Sequence, residues 1–183
     1  MKYACLNKNN FQYKEYKIVP IRKVDRYKIM KWRNEQKFHL RQNNDLTKEK
    51  QDEYFTKVIN KLFLDLLPEQ ILFSYLKDNK CIGYGGLVHV DWHNKNAEIS
   101  FIMETGLEKK GFNSNWSIFL KLIEKVAFDE LDLNKIYTYA YDLRPRLYKA
   151  LLSSKYNFEA KLKKHIINDN SFIDVIIHSK FKK

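Results

Sequence analysis

The spacing of apolar residues changes twice between residues 97 and 141, and this change constrains the fold more than any other feature. The segment from Ala97 to Met103 has the pattern of a β-strand, and the segment from Lys135 to Tyr141 is strongly strand-like. Between them apolar residues recur at helical spacing, at Trp116, Phe119, Leu120, Ile123, Val126 and Ala127. A strand, a helix and a strand in succession predict a right-handed crossover between two parallel strands.

The rest of the chain predicts antiparallel strands and further helices. The other expected elements are a strand at 16–22, a helix at 24–35, a helix capped by Thr47 and ended by Pro68, strands at 71–76 and 81–90, a helix beginning at Pro145, and a hairpin of strands at 158–162 and 172–177. Glycines in the strand at 81–90 indicate a bulge or a close approach of backbones. The predicted order is β-α-α-β-β-β-α-β-α-β-β. This is an α/β fold with a mixed, mostly antiparallel sheet around a central parallel β-α-β unit.

Composition bounds the organisation of the chain. The 183 residues contain no internal repeat and no linker rich in proline, glycine or serine, so we expect a single domain over residues 1–183. No apolar run approaches the roughly 20 residues that cross a bilayer, and the first residues lack the apolar stretch of a secretion signal, so we expect no membrane span and a cytoplasmic location. Cys5 and Cys81 are too few for a disulfide framework, and the histidines lack ligand spacing, so no metal is expected.

The net charge of +12 favours anionic partners. Basic residues between 37 and 61 alternate with acidic ones, however, as they do on a solvated helix face. The charge pattern therefore argues against a dedicated nucleic-acid surface and favours a small ligand that carries phosphate.

Three local segments resemble one enzyme family. They are Trp32-Arg33-Asn34, the stretch from Ile82 to Trp92 with Ala97 to Phe101, and the stretch from Leu131 to Tyr137. Their order and spacing resemble the GNAT superfamily of acetyl-CoA-dependent N-acetyltransferases, over most of the chain from about Tyr16 to His178. Within it, they look most like the branch of ribosomal-protein N-acetyltransferases and of acetyltransferases that act on nucleotide-linked amino sugars for surface polysaccharides. The resemblance implies a GNAT fold and acetyl-CoA as cosubstrate.

The loop that holds the cofactor pyrophosphate in this family departs from its usual form. The family has a basic turn of the form (Gln/Arg)-x-x-Gly-x-(Gly/Ala) that opens the central helix, where backbone N–H groups meet phosphate. Here Gly111 to Trp116 occupy the turn, and Ser114 and Trp116 stand where glycines are common. The resemblance implies cofactor-binding roles for Lys109, Lys110, Gly111, Ser114 and Asn115, and for backbone amides at Phe101, Ile102 and Met103. Either this divergent loop still binds coenzyme A, or the fold has lost cofactor binding.

Acetyl transfer to an amine needs a base, an oxyanion site and an acid for the thiolate. The resemblance implies that Glu98 is the base, although a strand glutamate also pairs readily with a lysine. His89 is a second candidate base, because its usual pKa lies near 6.5, or it is a structural histidine. Tyr148 stands in a family-like Leu-Tyr-Lys context, but ten residues before Phe158 rather than five. It is either the general acid or a packing residue.

The acceptor pocket is expected at Trp32, Arg33, Arg41 and Asp91, with an arginine that binds a diphosphate. The alternative for Arg33 is an ion pair with a glutamate of its helix. The alternating Tyr137, Tyr139 and Tyr141 share one face of the sheet and are expected to belong to the core rather than to form a platform for the acceptor. The sequence therefore predicts an N-acetyltransferase for a nucleotide-linked amino sugar. Two alternatives remain: a protein or peptide Nα-acetyltransferase, or a non-catalytic basic module on a degenerate GNAT scaffold. An exposed final strand makes a homodimer conceivable.

The transfer hypothesis requires a gap between two neighbouring strands, near Met103 and Tyr139, that admits a long thioester. Trp116 must not fill this gap.

Overall fold

One eight-stranded sheet organises the chain, and the computed structural model describes residues 1–183. The strands are β1 (Phe11–Tyr13), β2 (Tyr16–Pro20), β3 (Gln70–Lys77), β4 (Lys80–Asp91), β5 (Asn96–Met103), β6 (Lys135–Tyr141), β7 (Asn157–Asn168) and β8 (Ser171–Phe181). The α-helices are α1 (Arg26–Glu35), α2 (Lys48–Tyr54), α3 (Asn60–Leu64), α4 (Thr105–Lys109), α5 (Phe112–Glu124) and α6 (Pro145–Ser153). Short 3-10 helices lie at Lys23–Asp25 and Lys37–His39, and π-helical turns at Phe55–Ile59 and Lys125–Glu130. None of the helices combines the length and the apolar composition needed to cross a bilayer.

The strand order is β1-β2-β3-β4-β5-β6-β8-β7, and the pair β5–β6 is parallel while all other neighbours are antiparallel. The helix α5 connects the two parallel strands. The prediction of a mixed, mostly antiparallel sheet with one central parallel β-α-β unit is confirmed.

The parallel pair is short. β5 and β6 pair at three positions only, from Asn96 with Lys135 to Glu98 with Tyr137. Beyond Glu98, β5 keeps its antiparallel partner β4 as far as Met103, and β6 keeps β8. The two strands therefore diverge after Glu98 and Tyr137. The expected gap near Met103 and Tyr139 is present.

Aromatic packing holds α5 against the sheet next to this gap. The rings of Phe101 on β5 and Phe119 on α5 stack with centroids 4.0 Å apart, and Tyr75 on β3 meets both edge-on. Gly85 on β4 permits this approach, because a Cβ there would lie 2.9 Å from the Phe119 ring. A Cβ at Gly85 would also lie less than 3.0 Å from the Ser100 carbonyl oxygen, and one at Gly86 less than 3.0 Å from the Ile71 carbonyl oxygen, so the close approach of backbones predicted from the glycines is confirmed.

Some elements differ from the sequence prediction. β1 and α4 were not predicted, because segments of three and five residues are too short to show a period. The final hairpin is much longer than predicted. Its outer strand β7 has one paired edge and is rich in exposed lysines, so its apolar alternation is weak. The Thr47 cap is confirmed, since its side chain accepts a hydrogen bond from the Lys50 amide.

Candidate active site

A cavity of about 540 Å³ lies where β5 and β6 diverge. Ile99 and Phe101 line it from β5, and Tyr139 and Tyr141 line it from β6. Trp116 forms part of the wall, with its ring edge-on to Phe101 at a centroid distance of 5.0 Å. The cavity reaches residues of both strands, so Trp116 does not fill the gap.

Glu98 is at the last paired position of β5 and lines this cavity. Its side chain is almost fully buried, and both of its carboxylate oxygens accept hydrogen bonds from Arg41 Nη2, at 3.1 and 2.9 Å. Burial raises the pKa of Glu98, while Arg41 and, more weakly, His89 act in the opposite direction. Burial and the Arg41 contact therefore set the pKa of this carboxyl group in opposite directions, and loss of the contact would raise it further.

His89 reaches the cavity because β4 is irregular there. The register of β4 against β5 shifts between Val88 and Asp91, and His89 has a φ of 50°, in the left-handed region. Arg41 Nη1 lies 3.0 Å from His89 Nε2, and the His89 ring is 4.0 Å from a Glu98 oxygen. The Arg41 guanidinium also lies over the Tyr139 ring, 4.2 Å from its centroid. Arg41 therefore connects β4, β5 and β6.

Arg33 lines the cavity from α1 and has no carboxylate partner. Its Nη1 donates to the Tyr84 hydroxyl at 2.6 Å, and its Nε donates to Gln42 Oε1 at 2.8 Å. Trp32, which was expected to join it, is instead a buried core residue and does not line the cavity. The reason is helix geometry, since consecutive helical residues point about 100° apart and cannot share one face.

Asp91 was also expected in the acceptor pocket, and the structure places it elsewhere. Its carboxylate accepts hydrogen bonds from the backbone and side-chain nitrogens of Asn94, at 2.8 and 2.7 Å. It therefore closes the turn between β4 and β5. The bulge at His89 changes the side to which the following residues point.

Register identifies which backbone amides face the gap. The Glu104 amide donates to the Ile82 carbonyl at 2.8 Å, so residues 82 and 104 form a hydrogen-bonded antiparallel pair. Hydrogen-bonded pairs alternate along the ladder, so the Ile102 amide is engaged with Tyr84 on β4. The amides of Phe101 and Met103 point the other way, into the gap. Ile102 was therefore wrongly predicted as an amide donor, whereas the positions of Phe101 and Met103 suit that role.

The N-terminus of α5 lies beside the open end of the gap. Gly111 is its N-cap with a φ of 91°, and the amides of Phe112, Asn113 and Ser114 have no acceptor within the protein. Lys109 and Lys110 precede it and are exposed. The Ser114 hydroxyl and the Asn115 amide group both donate to the Gly111 carbonyl, at 3.0 and 2.9 Å. These two side chains, predicted as phosphate donors, are thus committed to the loop itself, and the free donors are backbone amides.

A sequence model of the acetyltransferase (GNAT) domain matches residues 18–177. This chain belongs to the GNAT acetyltransferase family. It is an acyltransferase, and acetyl-CoA is the cosubstrate of its family.

Solved structures share this fold. One is spermidine N-acetyltransferase from Vibrio cholerae in complex with CoA and spermine, with a TM-score of 0.80 and 16% identity over 93% of this chain and 97% of that chain. A dodecameric structure of spermidine N-acetyltransferase from the same organism has a TM-score of 0.75 and 17% identity over 93% and 95% of the two chains. A probable acetyltransferase has a TM-score of 0.73 and 20% identity over 94% and 97%. At these identities the likeness establishes the fold.

Two orphaned polar atoms test whether this GNAT site fits acetyl-CoA. Thr138 Oγ1 on β6 and Trp116 Nε1 on α5 are buried without a hydrogen-bond partner, and both residues line the cavity. Buried donors without partners cost free energy, so they indicate a ligand that supplies acceptors. The pantetheine arm of acetyl-CoA carries amide carbonyls of this kind. With the free amides at α5, the residues fit the cosubstrate.

Tyr148 lies outside the cavity of this GNAT fold. Its hydroxyl donates to Asp142 Oδ1 at 2.8 Å, and its ring stacks on His178 of β8 at a centroid distance of 5.4 Å. Burial and Asp142 both raise the pKa of Tyr148. The structure therefore does not bring this hydroxyl to the site, because the first turn of α6 directs it toward β8.

The tyrosines of β6 were predicted as core residues, and none of the three is buried in the core. Tyr139 and Tyr141 are half-buried and line the cavity, because β6 has no partner on the β5 side at these positions. Tyr137, at the last paired position, does not line it. The alternation in the sequence placed the three tyrosines on one face but could not show where the neighbouring strand leaves.

Arg144 and Glu108 are site residues that the sequence did not indicate. Arg144 lines the cavity, and its Nη2 donates to both Glu108 oxygens at 2.9 Å. Its Nη1 lies 3.2 Å from Nδ1 of His39, whose pKa is lowered to about 3 by burial and by Arg144. Glu108 follows β5 on α4, and Arg144 follows β6, so the pair joins the far ends of the diverging strands. No local pattern marks residues 36 positions apart as partners.

No three His, Cys, Asp or Glu side chains are grouped as a metal site requires.

Proposed function

We propose that this enzyme acetylates the amine of a nucleotide-linked amino sugar, with acetyl-CoA as donor. The observation that carries the proposal is the charge of the cavity wall. Its charged lining residues are four cations and a single carboxylate, namely Arg33, Arg41, Lys50, Arg144 and Glu98. Arg33 and Lys50 have no acidic partner. Guanidinium groups bind phosphate oxygens in pairs, which suits a diphosphate.

The same charges argue against a polyamine acceptor. Spermidine N-acetyltransferases share the fold, but a polyamine is a polycation and this wall repels cations. A cavity of about 540 Å³ with arginines in its wall also supports a sugar nucleotide over an acidic peptide, which would lie in a flat groove.

Glu98 serves as the general base in this proposal. It accepts the proton of the attacking amine, directly or through one water, and its raised pKa suits it to proton removal near neutral pH. The amides of Phe101 and Met103 point into the gap and would donate to the oxyanion that develops on the thioester carbonyl.

Protonation of the leaving thiolate needs a different residue from Tyr148. Tyr139 and Tyr141 line the cavity, and neither hydroxyl has a hydrogen-bond partner in the protein. We assign the acid role to this pair.

Release of free thiol from acetyl-CoA tests the proposal, with nucleotide amino sugars, peptides with free N-termini and spermidine as acceptors. We expect release with the sugar nucleotides. Arg33→Gln should raise KM for them by about tenfold or more, since a hydrogen bond to a charged group contributes about 1.5–3 kcal/mol. Lys28→Gln, an exposed position on the same helix, is the matched control and should change KM less than about twofold. Release with peptides or spermidine alone would overturn the acceptor assignment.

Self-association through the free edge of β7 stays a prediction. β7 ends the sheet, and the hairpin it forms exposes Phe158, Ile167 and Phe172. Size-exclusion chromatography with light scattering measures the mass directly, and a monomer would exclude this partner.

A further inference from the structure

Arg41 covers the proposed base. The arginine side chain is 44% exposed and the Glu98 side chain 11% exposed, so the arginine lies between the carboxylate and solvent. A single guanidinium nitrogen, Nη2, bonds to both Glu98 oxygens. A general base needs a free lone pair to accept a proton, and here the bonds to Arg41 compete for both oxygens. In this arrangement both oxygens of the proposed base are hydrogen-bonded to Arg41.

Arg41 lies in a loop, so its side chain can move away from Glu98 without unfolding a helix or a strand. It lies in the segment 40–47, which has no helix or strand, between the 3-10 helix at Lys37–His39 and α2. Its other contacts are the stacking on Tyr139 and the hydrogen bond to His89 Nε2. Arginine binds carboxylate and phosphate with the same fork of donors, so an anion that enters the cavity competes with Glu98 for it.

We propose, on the basis of the function proposed above, that Arg41 is a positioning residue that moves from Glu98 to an anionic group of the acceptor, so that the base is released only when such a group is bound. The chemical class of acceptor is then an amine with a phosphate or carboxylate near it. Selectivity for such acceptors arises from release of the base as well as from affinity.

The step balances with no further reactant. Once Arg41 bonds to the acceptor anion, Glu98 takes one proton from the amine nitrogen as the N–C bond to the acetyl carbon forms. The C–S bond breaks, and the thiolate takes a proton from a cavity tyrosine or from water. The products are an amide and a free thiol, and the proton on Glu98 returns to solvent or to the tyrosine.

The groups that face Glu98 determine the pH dependence. They are Arg41 from the loop, His89 from β4, and Tyr137 and Tyr141 from β6. Arg41 is the cation in contact with the carboxylate, and it lowers the pKa of Glu98 against the effect of burial. Removing it therefore raises this pKa further, and the acid limb of the rate profile moves to higher pH.

The test measures thiol release for an amino sugar, for the same sugar carrying a phosphate, and for its uronic acid counterpart. For the wild type we expect kcat/KM to be about 30-fold or more higher with at least one of the two anionic acceptors, since a bond to a charged group contributes 1.5–3 kcal/mol. Arg41→Gln should lower this preference by about tenfold or more, and the part of it that Arg33 supplies should remain. It should also move the acid limb of kcat/KM for the neutral sugar to higher pH, whereas Arg41→Lys should retain part of the preference.

Arg33→Gln is the control that separates release of the base from simple anion binding. It should weaken binding of the phosphorylated sugar and leave the acid limb where it is. An Arg41→Gln enzyme with unchanged preference, or with equal losses on all acceptors and an unmoved acid limb, overturns the inference. Thiol release with no preference in the wild type overturns it too, while leaving the proposed transferase activity in place. Absence of release with every amine would instead overturn the proposed function itself.

Discussion

The two halves of β5 have the same strand on one side and different surroundings on the other. From Asn96 to Glu98 the strand is paired with both β4 and β6. From Ile99 to Met103 it is paired with β4 alone, and a cavity replaces β6. One strand therefore has a structural half and a half whose backbone is free to bind a ligand.

The polar groups of β6 show the same difference. Next to the paired half, backbone hydrogen bonds satisfy both strands. Next to the open half, Thr138 Oγ1 is buried without a partner, and so is Trp116 Nε1 on α5. Unpaired buried groups are destabilising in the free protein, so these two, which both line the cavity, indicate where a ligand completes the structure. The boundary between the halves is also the position of the proposed base.

Different interactions connect β5 and β6 at the two ends of β5. Main-chain hydrogen bonds join the paired ends of β5 and β6, whereas the Arg144–Glu108 ion pair joins the elements that follow the open ends. This ion pair is shielded from solvent, with side-chain exposures of 11% and 19%. The cavity is therefore bounded by backbone bonds at one end and by one pair of charges at the other.

The largest effect is expected at the boundary, in Glu98→Gln. The substitution keeps the shape of the side chain and removes its capacity to accept a proton, so kcat should fall by about 10²-fold or more. Thiol release measures kcat, and calorimetry with acetyl-CoA should show unchanged affinity. The control is Asp91→Asn, a carboxylate on the neighbouring strand that only closes a turn. A Glu98→Gln enzyme with normal kcat would remove Glu98 from the mechanism.

The next effect concerns the ion pair at the open end. Glu108→Gln leaves Arg144 shielded from solvent without its counter-charge, and we expect the free energy of unfolding to fall by about 2–3 kcal/mol. Glu159→Gln is the comparison at the paired end, where Glu159 forms an exposed pair with Lys135 and should contribute less than about 1 kcal/mol. Urea unfolding measures both. Additive effects of Glu108→Gln and Arg144→Gln in a double-mutant cycle would contradict a tie between the strands.

Thr138→Val beside the open half of β5 and Ile136→Val beside the paired half should differ in their effects on CoA affinity and on stability. The free protein should be as stable as the wild type or more so, because the substitution removes an unpaired buried hydroxyl. The affinity for CoA should fall by roughly 2–10-fold, which corresponds to one hydrogen bond, and Thr138→Ser should restore it. Ile136 is fully buried beside the paired half. Ile136→Val should therefore lower the free energy of unfolding by about 1 kcal/mol and leave the affinity for CoA unchanged. Calorimetry and thermal unfolding distinguish these outcomes.

The sequence predicts periodic features of this fold well. The strand at Lys135–Tyr141, the helix that packs on it and the meander before it all follow from spacing, because periods 2 and 3.6 are local properties. The gap between β5 and β6 was expected through the family resemblance. Glu98 was predicted as the base through that resemblance, and Arg33 and Arg41 were predicted in the acceptor pocket; all three line one cavity.

The failures share a physical cause, which is that side-chain direction depends on local irregularity and on distant partners. A bulge at His89 turns Asp91 away from the pocket, and helix phase puts Trp32 in the core. Pairing between Arg144 and Glu108 joins positions that no local pattern connects. The Ser114 and Asn115 side chains differ from their predicted use because they bond to the Gly111 carbonyl of their own loop.

The smallest effect is expected just beyond the open half, in Tyr148→Phe. Because its hydroxyl bonds to Asp142 outside the cavity, we expect kcat to change by less than about twofold. Loss of this hydrogen bond should lower the free energy of unfolding by about 1 kcal/mol, a modest value because Asp142 keeps its ion pair with Lys161. Tyr141→Phe is the matched variant inside the cavity and should reduce kcat more than it reduces stability. If Tyr148→Phe instead lowered kcat by about 10²-fold at unchanged stability, α6 would have to present this residue to the open half of β5, and the assignment of acid to β6 would be wrong.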